Sequence, residues 1–331
     1  MTPLNNTPSV CLPEIRCTAA PDPLRSMAMT PVDKGGSVTE NAANTLRKLI
    51  ITDGIVVAPA VYDCLTAMLA EQAGFQMVFT SGFGISASLI GRPDIGLLTA
   101  TEMMDRVRYI CRSVSIPVVA DIDTGYGNAM NVMRTVEEAV AAGAAGVILE
   151  DQVWPKRCGH FEGKAVIPTE EHVEKIIAAR EARGGSGLVI VARTDARAVM
   201  GLDTAIERAR AYADAGADVV FVEAPEAEAE LAVIAERLRG TPLFANLIEG
   251  GKTPTLSVER LERMGFKLVA FALTALFAAT FGVRKVFRQL VAEGTSGDLM
   301  SQFSFADFAE VIGLDRYMER RIIPSTKEKR R

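Results

Sequence analysis

The chain is poor in the residues from which most transition-metal and redox sites are built. Its 331 residues include only two histidines, His160 and His172, and one tryptophan, Trp154. That excludes a histidine-rich zinc centre, so any metal should be a hard ion held by oxygen, Mg²⁺ or Mn²⁺. The cysteines Cys11, Cys17, Cys64, Cys111 and Cys158 are odd in number and scattered. They read as reduced thiols in a cytoplasmic compartment, not as a disulfide framework. No run of about 18 apolar residues occurs, so no transmembrane helix is expected. The longest apolar stretch, residues 268–281, is broken by Thr274 and Thr280 and suits a strand running into a helix. Neither charge sign dominates: the net charge is −5, which argues against a nucleic-acid or anionic-membrane surface. Residues 1–15 contain no apolar core, so no secretory signal is expected.

What is present is a globular composition, long enough for one large domain or two ordinary ones. Residues 1–44 are rich in Pro, Thr, Asn and Ser and lack periodicity, as in a disordered or arm-like extension. Organellar targeting by this extension is the alternative to a cytoplasmic location, although Glu14, Asp22 and Asp33 are acidic and Arg residues few. Residues 45–331 follow a regular beat. Short β-rich runs at 55–59, 76–80, 117–121, 146–150, 188–193, 218–223, 242–246 and 267–271 alternate with helix-like segments such as 135–142 and 203–215. Several helix-like segments stop at a glycine just before the next run, as at Gly74, Gly143, Gly216 and Gly265. Eight such repeats predict an α/β fold, a (β/α)₈ barrel. An open doubly wound sheet is the alternative, but the glycine fingerprint it would carry after the first strand is missing.

A barrel puts its chemistry at the C-terminal ends of the strands. Those ends carry Ser81-Gly82-Phe83-Gly84, Asp121-Ile122-Asp123, Glu150-Asp151, Arg193-Thr194-Asp195, Glu223 and Asn246, with Glu249 beyond. Asp121 and Asp123, two apart, would share a face of a regular strand, and with Glu150 could hold a divalent ion. Arg193 suits a substrate carboxylate; a structural salt bridge to Glu223 or Asp195 is the alternative. The Ser81 turn could offer backbone N–H groups to an anion. Arg197 and Lys164 read as surface charges, and Trp154 as a packing anchor for the loop after the fourth strand.

That loop, Val153-Trp154-Pro155-Lys156-Arg157-Cys158-Gly159-His160, places a thiol beside three potential cations. Such a setting should lower the thiol pKa and make Cys158 reactive. A charged surface loop with an incidental cysteine is the alternative. A metal, carboxylate-binding groups and a loop thiol together suit chemistry on a small α-oxyacid or α-ketoacid.

Lys156-Arg157-Cys158-Gly159-His160 resembles the Lys-(Lys/Arg)-Cys-Gly-His signature of the isocitrate lyase / phosphoenolpyruvate mutase superfamily. Thr80-Ser81-Gly82, Gly91-Arg92-Pro93-Asp94, Asp121-Ile122-Asp123-Thr124-Gly125, Glu150-Asp151-Gln152, Ala192-Arg193-Thr194-Asp195, Val222-Glu223-Ala224 and Asn246-Leu247-Ile248-Glu249-Gly250-Gly251-Lys252 follow in family order. The resemblance runs over residues 45–320 and is nearest to the short lyases of 2-methylisocitrate, dimethylmalate and 2-alkylmalates.

It implies Mg²⁺ held by Asp121 and Asp123, with Asp94 and Glu150 in the water shell. Ser81, Gly82 and Phe83 would bind the α-oxyacid carboxylate, and Arg193 would fix the substrate. Asn246 and Glu249 would contact the leaving half, and Gly159, His160 and Glu223 would complete the pocket. Cys158, with Glu150, Arg193 and His160 around it, would be the proton donor of a gating loop. The implied reaction splits a 2-hydroxy dicarboxylate into an α-ketoacid and a carboxylic acid. The implied assembly is a homotetramer, a dimer of dimers that swap their C-terminal helices. A carboxyphosphonoenolpyruvate-type phosphonomutase and an oxaloacetate hydrolase are the alternative activities. Hydrolases resemble one another in a serine at the position of Ala272, which argues against the latter. A non-catalytic relative would have no reason to keep Cys158, Asp121, Asp123 and Arg193 together.

Overall fold

The computed structural model describes residues 41–319. The beat read from the sequence folds as eight parallel strands: β1 (Val56–Val61), β2 (Val78–Thr80), β3 (Val118–Asp121), β4 (Gly146–Glu150), β5 (Val189–Thr194), β6 (Val219–Val222), β7 (Leu243–Leu247) and β8 (Leu268–Phe271). They close in chain order into a barrel, with β8 paired to β1. Every expected strand is present, with ends moved by no more than two residues. The first helix begins at Ala42, capped by the Asn41 side chain, three residues before the boundary expected at residue 45. Residues 1–40 of the expected extension lie outside the described residues.

The strands are legible because both their faces are buried, so they read as continuous apolar runs. Val56, Ala58 and Ala60 of β1, Val189 and Val191 of β5, and Val219 and Phe221 of β6 point into one central cluster. The intervening residues, such as Val147, Leu149 and Ile190, pack outward against helices. This is the period of two expected of a pleated strand. Phe244 stands edge-on to both Phe79 and Phe221, at ring separations of 6.0 and 4.8 Å. These three rings floor the open end of the barrel. Helices end where their glycines demand it: Gly143 (φ 95°) and Gly265 (φ 103°) cap two of them in the left-handed region.

The apolar stretch after β8 is a strand entering a helix, as expected: helix Thr274–Glu293 follows the barrel. It has no buried residue, and its Phe281 and Val291 are 73 and 90% exposed; Phe305, which opens the later helix Phe305–Val311, is 86% exposed. Among the described residues no helix is long and apolar enough to cross a membrane.

Candidate active site

Register brings the site together. In the β4–β5 ladder Glu150 pairs with Arg193, and in the β3–β4 ladder Asp121 pairs with Ile148. Arg193 Nη1 lies 3.3 Å from Glu150 Oε2, and its Nε and Nη2 donate to the two Asp195 oxygens at 2.9 and 3.0 Å. The structural salt bridge and the cavity position therefore both hold for Arg193. The fork keeps further N–H donors for a substrate carboxylate. Its guanidinium also stacks 5.5 Å from the Phe221 ring centroid.

Asp121 and Asp123 approach one another, but not through strand alternation. β3 ends at Asp121, and Asp123 turns back with φ 48°, a strained conformation for a non-glycine residue. Asp121 accepts the Asp123 and Gly82 N–H groups at 3.0 and 3.1 Å. Glycine suits position 82, since a Cβ there would sit 2.9 Å from Asp121 Oδ2 and displace that carboxylate. The Gly82 N–H goes to Asp121, the Gly84 N–H to the Ser81 hydroxyl and the Ile85 N–H to the Ser81 carbonyl, so among the described residues the Phe83 amide is the donor of this turn without a partner. The anion-binding turn is thus narrower than expected.

The Lys156 side chain runs inward. Its Nζ lies 2.6 Å from both Asp94 Oδ1 and Asp123 Oδ1, with only 4% of the side chain exposed. Burial opposes the ammonium, but Asp123, Asp94, Glu150 and Asp121 outweigh it and raise its pKa well above the ordinary lysine value. Burial likewise pushes the Glu150 carboxyl well above the carboxylate range, against the pull of Arg193.

Cys158 overturns the pKa expectation. Its neighbours in sequence do not surround the thiol: Lys156 is held by the carboxylates, and Arg157 Nη1 turns to the Glu162 carbonyl at 3.1 Å. Burial dominates and pushes the thiol up to about 11, so at neutral pH it carries its proton. The loop itself is pinned. Gln152 and Val166 form a bridge at its base, and the Gln152 amide exchanges hydrogen bonds with the Arg157 backbone at 2.8 and 2.9 Å. The Cys158 N–H donates to the Asp94 carbonyl at 3.2 Å. Gly159 backs onto Arg193 and Glu223 so closely that a Cβ would lie 2.5 Å from each.

His160 accepts the Lys252 N–H at Nδ1 (2.9 Å), so a neutral ring carries its proton on Nε2, which faces Glu223 Oε1 at 3.1 Å. Burial would raise Glu223, but Arg193 and His160 outweigh it and its carboxyl is lowered. Asn246 Nδ2 donates to Glu223 Oε1 at 3.4 Å.

Ser81, Gly82, Phe83, Asp94, Asp121, Glu150, Cys158, Gly159, His160, Arg193, Glu223 and Asn246 line one cavity of about 60 Å³ above the aromatic floor. Asp123 joins through Lys156. Glu249 does not: it is exposed and bonded to Thr274. Lys164 is not a surface charge, since its side chain is 2% exposed and lies 3.1 Å from Asp195 Oδ1. Arg197 is also held, in a cluster with Glu226 and Glu230. Trp154 is 43% exposed and stands edge-on to Tyr126 at 6.0 Å. Lys156 and Gln152 were not legible as site residues; Asp195, already placed at the end of the fifth strand, is the carboxylate that holds the Arg193 fork.

The carboxylates fit a hard divalent cation. Glu150 Oε1, Glu223 Oε2 and Asn246 Oδ1 are buried acceptors with no hydrogen-bond partner among the described residues. Among those residues no three His, Cys, Asp or Glu groups converge tightly enough to ligate one ion directly. One or two carboxylates with bridging waters is the mode that suits magnesium.

A barrel with this rim defines a class of enzyme, and the chain belongs to the phosphoenolpyruvate phosphomutase family, of the PEP mutase/isocitrate lyase superfamily, whose model matches residues 46–291. The petal death protein of Dianthus caryophyllus is 46% identical over 285 residues, 86% of this chain and 89% of the relative. The 2,3-dimethylmalate lyase of Eubacterium barkeri is 43% identical over 280 residues, 84% of this chain and 96% of the relative. The chloroplastic carboxyvinyl-carboxyphosphonate phosphorylmutase of Arabidopsis thaliana is 44% identical over 322 residues, 95% of this chain and 93% of the relative. A solved phosphonopyruvate hydrolase in complex with oxalate and Mg²⁺ is similar with a TM-score of 0.77 and 32% identity, covering 84% of this chain and 97% of that one.

Proposed function

We propose that the protein is a Mg²⁺-dependent carbon–carbon lyase that splits a 2-hydroxy dicarboxylate of the 2-alkylmalate, dimethylmalate or 2-methylisocitrate type. The products are an α-ketoacid and a carboxylic acid. The observation that carries this reading is a buried thiol, raised to about 11, in the wall of a cavity that also contains Arg193 and Glu150. A thiol that keeps its proton is suited to be an acid, not a nucleophile.

The Phe83 amide and Arg193 bind the carboxylate next to the hydroxyl. Glu150 Oε1, without a hydrogen-bond partner among the described residues, accepts the hydroxyl proton in its ionised form, which Arg193 and Lys156 favour against burial. The bond between the hydroxyl-bearing carbon and its neighbour breaks, leaving the ketoacid and an enediolate of the second carboxylate. Cys158 Sγ–H delivers its proton to that carbon. His160, Glu223 and Asn246 orient the leaving half. Asp121 and Asp123, with Asp94 and Glu150 through water, would hold Mg²⁺ or Mn²⁺, which supplies positive charge for the oxyanion.

A phosphonomutase is the second reading, favoured by the match to the Arabidopsis phosphorylmutase over 95% of this chain. Oxaloacetate hydrolysis is a third outcome to separate. The same proposal includes cytoplasmic location, with Cys64, Cys111 and Cys158 as free thiols, and no nucleic-acid or membrane partner; organellar targeting by the N-terminal extension, as the chloroplastic Arabidopsis relative suggests, is the alternative. It also includes a homotetramer in which a second copy covers the apolar helix Thr274–Glu293. The test is α-ketoacid release from 2-methylisocitrate, dimethylmalate and 2-alkylmalates with Mg²⁺, with oxaloacetate loss followed separately. Cleavage of one of the former supports the lyase. Turnover of a phosphonate precursor alone would replace it with the mutase.

A further inference from the structure

Lys164 lies beyond the thiol-bearing turn, and nothing in the chemistry above uses it. Its side chain is 2% exposed, yet it is a lysine in a loop whose other members Phe161, Glu162 and Gly163 are exposed. A buried ammonium needs partners, and this one has two on different elements. Nζ donates to the Gly159 carbonyl and lies 3.1 Å from Asp195 Oδ1. Asp195 is fully buried at the end of β5 and grips the Arg193 fork with both oxygens.

The chain of contacts is therefore continuous: the Cys158–Gly159 turn, Lys164, Asp195, Arg193. We infer that Lys164 is a positioning residue, a latch whose ammonium ties the Gly159 carbonyl to the carboxylate that orients Arg193. It sets the thiol against the substrate-binding guanidinium without touching substrate. Glycine at 159 fits this role, since any side chain there would collide with Arg193 and Glu223 and lift the turn off the latch. Burial would raise the Asp195 carboxyl, but Arg193 and Lys164 hold it down at about 2, so the acceptor stays charged across the working range.

The inference rests on the proposed acid role of Cys158 only for its catalytic consequence; the latch itself can be read without turnover. In the full chain, N-ethylmaleimide labelling of each cysteine is followed by peptide mass spectrometry in wild type, Lys164→Met and Lys164→Arg. Removing the ammonium should free the turn and speed Cys158 labelling by tenfold or more. Cys64 and Cys111 serve as internal controls and should label as in wild type. Lys164→Arg, which keeps a donor and a charge, should return labelling toward the wild-type rate. On a substrate that is cleaved, Lys164→Met should lower kcat by tenfold or more and raise KM by less than threefold. Unchanged Cys158 labelling with unchanged controls overturns the latch, whatever the activity shows. If Cys111 also labels faster, the fold has loosened, and Lys164→Gln beside Lys164→Arg decides. Faster Cys158 labelling in Gln than in Arg supports the latch, and equal labelling overturns it.

Discussion

Lys156 Nζ sits 2.6 Å from Asp94 Oδ1 and 2.6 Å from Asp123 Oδ1, so one buried ammonium occupies the gap between two carboxylates. These are two of the groups proposed around the divalent ion. Removing one partner of a buried ion pair typically costs about 3–5 kcal/mol, because a charge is left without compensation. Lys156→Met should therefore lower the melting temperature of the metal-free protein clearly. Mg²⁺ or Mn²⁺ should then stabilise the variant more than the wild type, because a cation replaces the missing ammonium. Calorimetry with and without metal checks this. An equal metal shift in both proteins would contradict it.

Chelation should abolish turnover, and Mg²⁺ or Mn²⁺ should restore it. Full activity in excess chelator would remove the metal from the site, and Asp121→Ala would then be expected to leave metal binding unaffected as well.

The thiol gives a pH prediction with a definite sign. Burial raises Cys158 to about 11, so the protonated acid is present at neutral pH and is lost only as pH rises through that value. Alkylation of Cys158 should climb steeply toward about 11 instead of levelling off near the ordinary value of about 8.5. Cys158→Ser should reduce kcat by about two orders of magnitude or more, with substrate still bound.

His172 is fully buried against Tyr212, with ring centroids 4.5 Å apart, and neither ring nitrogen has a hydrogen-bond partner among the described residues. Burial, with Lys175 and Arg208 nearby, lowers its pKa to about 3. A histidine that stays neutral when folded but takes a proton when unfolded destabilises the fold as pH drops below the unfolded value of about 6.5. The loss should be about 2 kcal/mol by about pH 5 and complete as pH falls through the folded value. His172→Phe should flatten that part of the pH–stability curve. An unchanged acid limb in denaturant titrations would rule His172 out as its source.

The eight strands were legible because each is apolar on both faces and several are led in by a glycine stop, as at Gly143 and Gly265. The rim followed from topology, since Asp121, Glu150, Arg193 and Glu223 all stand at strand ends. Long side chains in the loop were not legible. Lys156 and Lys164 each have several rotatable bonds, and only the folded carboxylates Asp123 and Asp195 determine where their ammonium groups go. The thiol was misjudged for the same reason: cations adjacent in sequence were spent on other partners. Asp151 shows another limit, because it gathers Thr194, Arg208 and Tyr212 from 43, 57 and 61 residues away. Such a network has no local pattern. Glu249 follows the expected order along the chain, yet the turn after β7 carries it outward to Thr274.

The most direct measurement is cleavage of a 2-alkylmalate by the Mg²⁺-loaded full chain in D₂O, with both products quantified for wild type and Cys158→Ser. The expected result is α-ketoacid and carboxylic acid in equal amounts. One deuterium should be added at the carbon that left, and the variant should form little of either product. Formation of the carboxylic acid at the wild-type rate without Cys158, or no α-ketoacid from any 2-hydroxy dicarboxylate, would contradict the proposed lyase chemistry.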